Sequence, residues 1–305
     1  MTKDDSKSRS LGGAKHGSLG LGDWVLGARP KTLILSVIPV LMASAVYVQE
    51  TRTLYLGKLM LLIIMSLGFQ VSVNYANDYA DGIKGTDKNR IGPIRLVASG
   101  RKPAKHVQMA AIILTVICVI IGLILSALSS WWLILFGFGA VLATWGYTST
   151  SWAYGYKGFA EVMVILFFGL IPSIGSYVVF VGSFSVPWLI YLLGALSGLL
   201  SAIVSLINNM RDIKTDKEEG KNTLVVKLGL ANSKKLFYLF FFSIALATVV
   251  VGTKYLFVFC ALAVFIFLPN ILISLKDNVW REVFGQSIKF VSIYSLFVIV
   301  GVLVS

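Results

Sequence analysis

Two stretches of the 305-residue chain hold most of the side chains able to do chemistry. In "VSVNYANDYADGIKGTD", Val71 to Asp87, the residues Asn74, Asn77, Asp78 and Asp81 fall at i, i+3, i+4 and i+7, so a continuing helix puts all four on one face. Asp87 follows six residues later. In "NNMRDIKTDKEEGKNT", Asn208, Asp212 and Asp216 again stand at helical intervals. Several carboxylates at a helix C-terminus face the negative end of the macrodipole and repel one another, so the space between them calls for positive charge. Nearby Lys and Arg, protons or a divalent ion could each supply it. Oxygen donors without His or Cys suit Mg²⁺ or Mn²⁺, not zinc. Lys84, Lys88, Arg90, Arg95, Arg101, Lys102, Lys221 and Lys227 follow or flank the two stripes. Acidic stripes beside basic loops are what a metal-bridged diphosphate requires.

The elements that position these stripes are membrane spans. The chain is 57% hydrophobic and 13% charged, a composition that excludes an ordinary soluble domain. Its apolar runs are continuous and close to the roughly 20 residues a bilayer-crossing helix needs, whereas outer-membrane strands alternate. Nine spans are expected: Thr32 to Val48, Lys58 to Asn77, Gln108 to Leu128, Trp131 to Thr150, Ala160 to Val181, Pro187 to Asn208, Leu236 to Gly252, Tyr255 to Leu275 and Ser287 to Val304. Residues 1–23 are expected to form a flexible cytoplasmic tail and residues 24–305 a single transmembrane domain. Ala43-Ser44-Ala45 resembles a signal-cleavage site, but the polar region before it is too long for an ordinary n-region, so the first span is retained.

With the N-terminus inside, 24 of the 27 Lys and Arg fall on the cytoplasmic side, leaving Arg52, Lys58 and Lys254 outside. That bias orients the chain with its C-terminus outside, in a cytoplasmic membrane. The net charge of +13 is thereby confined to one face and attracts anionic lipids or an anionic substrate, with no call for nucleic acid. Spans two and six run in the same direction, and both end in an Asn- and Asp-rich stripe followed by a basic, Gly-containing loop. This is a weak internal repeat of the kind that builds one site from two halves.

Several features have plainer readings. Lys88, Arg101, Lys102, Lys217, Glu218 and Glu219 read as solvated loop charges, and His106 as an interfacial histidine. Trp131, Trp132, Trp145, Trp152 and Trp188 lie near span ends, as in an aromatic belt. Cys118 and Cys260 read as packing residues inside spans. Pro39, Pro172 and Pro269 are expected to bend helices, with Pro172 widening a cavity. Gly220-Lys221-Asn222-Thr223 is not a phosphate-binding P-loop, because Thr215 stands where its first glycine belongs.

"NDYADGIKGTDKNRIGPIRLVASG" and "NNMRDIKTDKEEGKNTLVVKLG" together resemble the UbiA superfamily of intramembrane prenyltransferases. Within it they are most like the 1,4-dihydroxy-2-naphthoate polyprenyltransferase (MenA) branch of menaquinone synthesis. "ARPKTL" before span one and "YGYKGFAE" entering span five are similar to the same branch. The usual first motif, Asn-Asp-x-x-Asp-x-x-x-Asp, is matched by Asn77, Asp78 and Asp81, but Asp87 comes two residues late, a spacing similar to the naphthoate branch. Asp212 and Asp216 fit the second motif, Asp-x-x-x-Asp.

The resemblance implies an all-α membrane protein with nine transmembrane helices around a central cavity and Mg²⁺ as cofactor. Its substrates would be a polyprenyl diphosphate and 1,4-dihydroxy-2-naphthoate. It implies metal binding at Asp78, Asp81, Asp212 and Asp216, with Asn74, Asn77, Asn208 and Asp87 as supporting or direct ligands. Lys84, Arg95 and Lys221, and more weakly Arg29 and Lys31, would clamp the diphosphate. Tyr147, Lys157 and Glu161 would touch acceptor or diphosphate. Two other functions fit the same residues: prenylation of another acceptor such as 4-hydroxybenzoate, and cation-coupled secondary transport. The transporter reading requires carboxylates near mid-membrane on interrupted helices, whereas here they stand at span ends.

Overall fold

A computed structural model of the chain describes residues 20–85, 94–147, 153–251 and 254–305, and the side chains of all these except 250–262 and 265. Asp87, Lys88, Arg90 and Trp152, the side chain of Cys260 and residues 1–19 of the expected tail therefore lie outside the described residues. The described portion is helical. A short helix, α1 (Leu21–Ala28), takes in the last part of the expected tail and leads into α2 (Pro30–Thr51), α3 (Leu56–Lys84), α4 (Ala104–Ala127) and α5 (Leu133–Gly146). After a 3₁₀ turn (Tyr154–Lys157) come α6 (Ala160–Val181), α7 (Trp188–Glu218), α8 (Leu224–Val251), α9 (Lys254–Lys276) and α10 (Trp280–Val304).

Seven of these helices, α2, α3, α4, α6, α7, α8 and α10, are long and apolar enough to cross a membrane, and α5 and residues Ile266–Lys276 of α9 are shorter apolar helices. Each of the nine expected spans has its helix. The helical boundaries run past the apolar stretches: α3 continues to Lys84 and α7 to Glu218, so the polar stripes are the last turns of spanning helices. Pro30 at the first position starts α2, where a missing N–H costs nothing, and Gly85 in the left-handed region (φ 73) ends α3. α8 bends at Gly229.

α2 and α7 form the centre of the bundle. They pack on each other, and both pack on α6 and α10. α3 and α4 pair beside α2, and α5 bridges α4, α3 and α6. α4 turns Ile112, Ile113, Val116, Ile117, Ile120 and Ile124 outwards, a helical stripe suited to hydrocarbon. Trp131, Trp132 and Trp188 are exposed, in keeping with an aromatic belt.

α6 is the irregular helix. Leu166–Leu170 form a π-helical turn just before Pro172, and Phe167, Phe168 and Pro172 all line a central cavity. Gly198 of α7 lies against this turn so closely that an added Cβ would stand 2.6 Å from the Ile165 carbonyl oxygen. Close backbone contact through glycine thus fixes the irregular wall of the cavity on the central helix.

α1 is tied down from several sides. Tyr75 donates its hydroxyl to the Trp24 carbonyl (2.7 Å), and Asn74 Nδ2 donates to the Ala28 carbonyl (2.9 Å). Asp23 pairs with Arg101 (2.7 Å) and Lys102 (3.6 Å), and hydrogen bonding to Arg101 holds its carboxyl below the usual carboxylate range. Lys102 corrects its sequence reading: it is buried, with its ammonium 5.8 Å from the Trp24 ring centre. A basic residue in a basic loop reads as solvated, but Asp23 and Trp24 supply a counter-charge and an aromatic face from a distant helix.

Candidate active site

The cavity between the helices measures about 910 Å³. Its walls are mostly apolar, with Leu35, Leu62, Phe69, Leu123, Phe136 and Phe167 among them. Arg29, Lys31, Asn74, Asn77, Arg95, Tyr147 and Asn208 also line it, bringing seven sequence-predicted site residues from α2, α3, α7 and three connecting segments to one space. Arg29 sits at the α1–α2 junction in the left-handed region (φ 58), a strained position for a side chain other than glycine.

Arg95 reaches the cavity because α3 and the following loop are built for each other. Both oxygens of Asp78 accept backbone N–H groups from that loop, Leu96 at 2.7 Å and Val97 at 3.0 Å. Leu96 is fully buried in a small second core with Tyr75 and Ala76, and Val97 presses on Gly82, where any side chain would collide with it. Arg95, just before them, then meets Asp81 at 3.0 Å, both side chains being buried. Asp78 therefore anchors the loop as well as being a candidate ligand; each carboxylate oxygen keeps a further lone pair.

The second stripe is organised similarly. Arg211 holds Asp212 with two bonds (2.7 and 2.8 Å), and Lys221 stands 3.7 Å from Asp216 and 3.1 Å from Glu219. Glu219, expected as a solvated charge, is thus paired.

Tyr156 joins the two stripes, and the sequence reading did not single it out. Its hydroxyl donates to Asp81, and its ring lies 4.7 Å from the Lys84 ammonium and 5.4 Å from that of Lys221. Its carbonyl accepts from Asn222 N–H (2.9 Å), holding the 3₁₀ turn against the loop after α7. Its signal in the sequence is its place in "YGYKGFAE", beside the charged Lys157 and Glu161.

Lys157 and Glu161 depart from expectation. Lys157 is exposed and offers its carbonyl to Lys227 (2.6 Å), so its side chain is not among the cavity's lining. The tight turn that faces Tyr156 inwards directs the next residue away. Glu161 is buried behind Asn209, which lines the cavity and donates to it at 2.7 Å. His106 is exposed, as an interfacial residue should be.

Among the described residues, no three His, Cys, Asp or Glu side chains form a ready-made metal cage. The donors nevertheless suit Mg²⁺ or Mn²⁺: Asp78, Asp81, Asp212 and Asp216 offer hard oxygens only. Mg²⁺ usually takes one or two carboxylates, with water and substrate phosphate completing its shell.

The profile of the UbiA prenyltransferase family matches residues 36–291. The chain belongs to the UbiA prenyltransferase family. Among its relatives, the 1,4-dihydroxy-2-naphthoate octaprenyltransferase of Mycobacterium leprae is 38% identical over 227 residues, 74% of this UbiA-family chain and 76% of that one. The protein of the same description from Mycobacterium tuberculosis is 37% identical over 214 residues, 70% and 72% of the two chains. Among solved structures, a UbiA homologue from Archaeoglobus fulgidus bound to DMAPP and Mg²⁺ superposes with a TM-score of 0.62. It covers 91% of this chain and 99% of that one at 13% identity, a likeness of fold.

Proposed function

We infer that this UbiA-family protein transfers a polyprenyl group from a polyprenyl diphosphate to 1,4-dihydroxy-2-naphthoate, releasing diphosphate and CO₂ and giving the hydroquinone form of demethylmenaquinone. The observation that carries this reading is the arrangement of one cavity: an apolar chamber with a polar rim of Arg29, Lys31, Asn77, Arg95 and Asn208, behind which Asp78 adjoins Asn77, Asp81 pairs with Arg95 and Asp212 stands one turn beyond Asn208, in a chain whose relatives are named for this reaction. The apolar chamber suits the prenyl tail and the rim suits the diphosphate.

In this reading Lys84, Arg95 and Lys221, aided by Arg29 and Lys31, bind the diphosphate and orient C1 towards the chamber. Asp81, Asp212 and Asp216, with Asp78 and the neighbouring Asn77 and Asn208, hold Mg²⁺; Mn²⁺ suits the same oxygens. A metal bound there would supply positive charge to offset the negative charge of the departing diphosphate. The basic side chains stabilise that charge as the C1–oxygen bond ionises, and the electron-rich ring attacks C1. The apolar walls exclude water, which would otherwise capture the allylic cation. Tyr147 contacts the acceptor from the rim. The chain lies in the cytoplasmic membrane among lipids, with its N-terminus and Asp-bearing ends inside and its C-terminus outside.

The test is product formation by purified protein given a polyprenyl diphosphate, 1,4-dihydroxy-2-naphthoate and Mg²⁺, read by mass spectrometry with an EDTA control. A prenylated product lacking the carboxylate, and absent with EDTA, is expected. Prenylation of 4-hydroxybenzoate alone would change the acceptor, and silence with every aromatic acceptor in folded protein would overturn the reading.

A further inference from the structure

Below the charged rim, the cavity wall carries two polar groups that the reaction as described does not use. Gln70 of α3 and Ser201 of α7 are both more than nine-tenths buried, and both line the cavity. Gln70 Oε1 and Ser201 Oγ have no hydrogen-bond partner among the described residues. Other hydroxyls of the wall are bonded to backbone, such as Ser36 to the Leu33 carbonyl, Ser66 to the Ser36 carbonyl and Ser126 to the Gly122 carbonyl. Buried polar atoms in a membrane interior normally find partners, so a pair left open towards a cavity marks where a ligand's polar group belongs.

The positions of the two groups are related. Gln70, Asn74, Asn77 and Asp81 are spaced by four, three and four residues, and Ser201, Ser205, Asn208 and Asp212 repeat that spacing. Gln70 and Ser201 therefore hold the same place in the two half-sites, one helical turn, about 6 Å, deeper than Asn74 and Ser205. The prenyl tail is hydrocarbon and has nothing to offer an amide or a hydroxyl. The diphosphate belongs with the cations and carboxylates at the rim. What remains is the aromatic acceptor, which carries two hydroxyls and a carboxylate. A carboxylate is drawn to the cationic rim, whereas a neutral amide and a neutral hydroxyl match a phenolic hydroxyl, which both donates and accepts.

We propose that Gln70 and Ser201 form the inner end of the acceptor subsite and bind the 4-hydroxyl of the naphthoate, which is para to its 1-hydroxyl and two ring atoms from its carboxylate-bearing carbon. The inference rests on the acceptor assigned above and adds the ring's orientation: carboxylate towards Arg29, Lys31 and Arg95, 4-hydroxyl towards the membrane interior. It makes Gln70 and Ser201 specificity residues, because a site that hydrogen-bonds a hydroxyl discriminates against an analogue lacking it.

The test uses full-length protein in lipid nanodiscs and the variants Gln70→Met, close to isosteric, and Ser201→Ala. Steady-state kinetics would give separate KM values for 1,4-dihydroxy-2-naphthoate and the polyprenyl diphosphate. Inhibition by 1-hydroxy-2-naphthoate, which lacks the 4-hydroxyl, would be measured alongside. Each variant is expected to raise the acceptor KM about tenfold, leave the diphosphate KM within about twofold, and leave inhibition by the 4-deoxy analogue nearly unchanged. Three results would each overturn the subsite: an unchanged acceptor KM in both variants, as when the two groups merely hold a water; an equal loss for acceptor and analogue; or an effect on the diphosphate KM instead. Lack of wild-type turnover with this acceptor would bring down the functional assignment itself, a distinguishable failure.

Discussion

At the scale of single residues, carboxylates one turn apart on α3 have different work. Asp78 spends bonds on the Leu96 and Val97 N–H groups, and Asp81 spends them on Arg95 and Tyr156. Asp81→Asn keeps an oxygen for Arg95 and an amide from which the Tyr156 hydroxyl can accept, but loses the charge proposed to hold metal, so turnover should fall more than about 100-fold while solubilised protein unfolds near the wild-type temperature. Asp78→Ala should instead lower stability by about 2–3 kcal/mol, since two charge-assisted bonds to buried backbone are lost, and raise the KM for polyprenyl diphosphate by freeing the Arg95 loop. Thermal unfolding beside kinetics separates the two; wild-type turnover in Asp81→Asn would refute its metal role. Tyr156 gives a graded test. Tyr156→Phe retains both ring–ammonium contacts and should cost a few-fold in kcat/KM, whereas Tyr156→Leu loses them too and should cost roughly tenfold more. Equal losses would mean that the ring itself contributes nothing. Tyr156 was not legible beforehand because its partners, Asp81, Lys84 and Lys221, belong to segments that only the folded bundle brings together.

At the scale of elements, spans and stripes could be read directly because both are periodic within one helix: apolar runs set α2 to α10, and helical spacing put Asn74, Asn77, Asp78 and Asp81 on one face. The hidden features arise between elements. Lys102 is buried by Asp23 and Trp24, and Asp78 serves a loop that folds back over Gly82; neither pairing has a local sequence signal. The π-helical turn of α6 shares that character. Pro172 announced an irregularity, but the turn's position depends on Gly198 admitting the Ile165 backbone. A Cβ at Gly198 would stand 2.6 and 2.8 Å from Ile165 backbone atoms, which no side-chain rotation relieves. Gly198→Ala should therefore destabilise by about 1–3 kcal/mol and reduce turnover as the Phe167–Phe168 wall shifts. At Gly122, a cavity-lining glycine whose nearest foreign atom would be Met65 Sδ at 3.7 Å, the same change should be close to neutral. Matching unfolding temperatures for the two variants would show that close α6–α7 contact does not fix the wall.

At the scale of the whole molecule, charge and site have one orientation in common. α3 and α7 carry stripes of the same spacing at their C-terminal ends, and the stripes end where the Lys and Arg concentrate. In the proposed function the cations that would hold this face in the cytoplasm also bind diphosphate, so orientation and chemistry would draw on the same residues. Arg101 and Arg52 lie in connections that this orientation places on opposite sides. With the native cysteines replaced, Arg101→Cys should react with a membrane-impermeant maleimide in inside-out vesicles and resist it in right-side-out ones, and Arg52→Cys should do the reverse. Arg101 is partly exposed and its pairing with Asp23 joins surface groups, so the substitution leaves insertion intact. Labelling of both from the same side would invalidate the topology. Labelling of Arg101→Cys only from outside would place the diphosphate rim away from the cytoplasm, and the positive-inside bias would then have to be attributed to substrate binding alone.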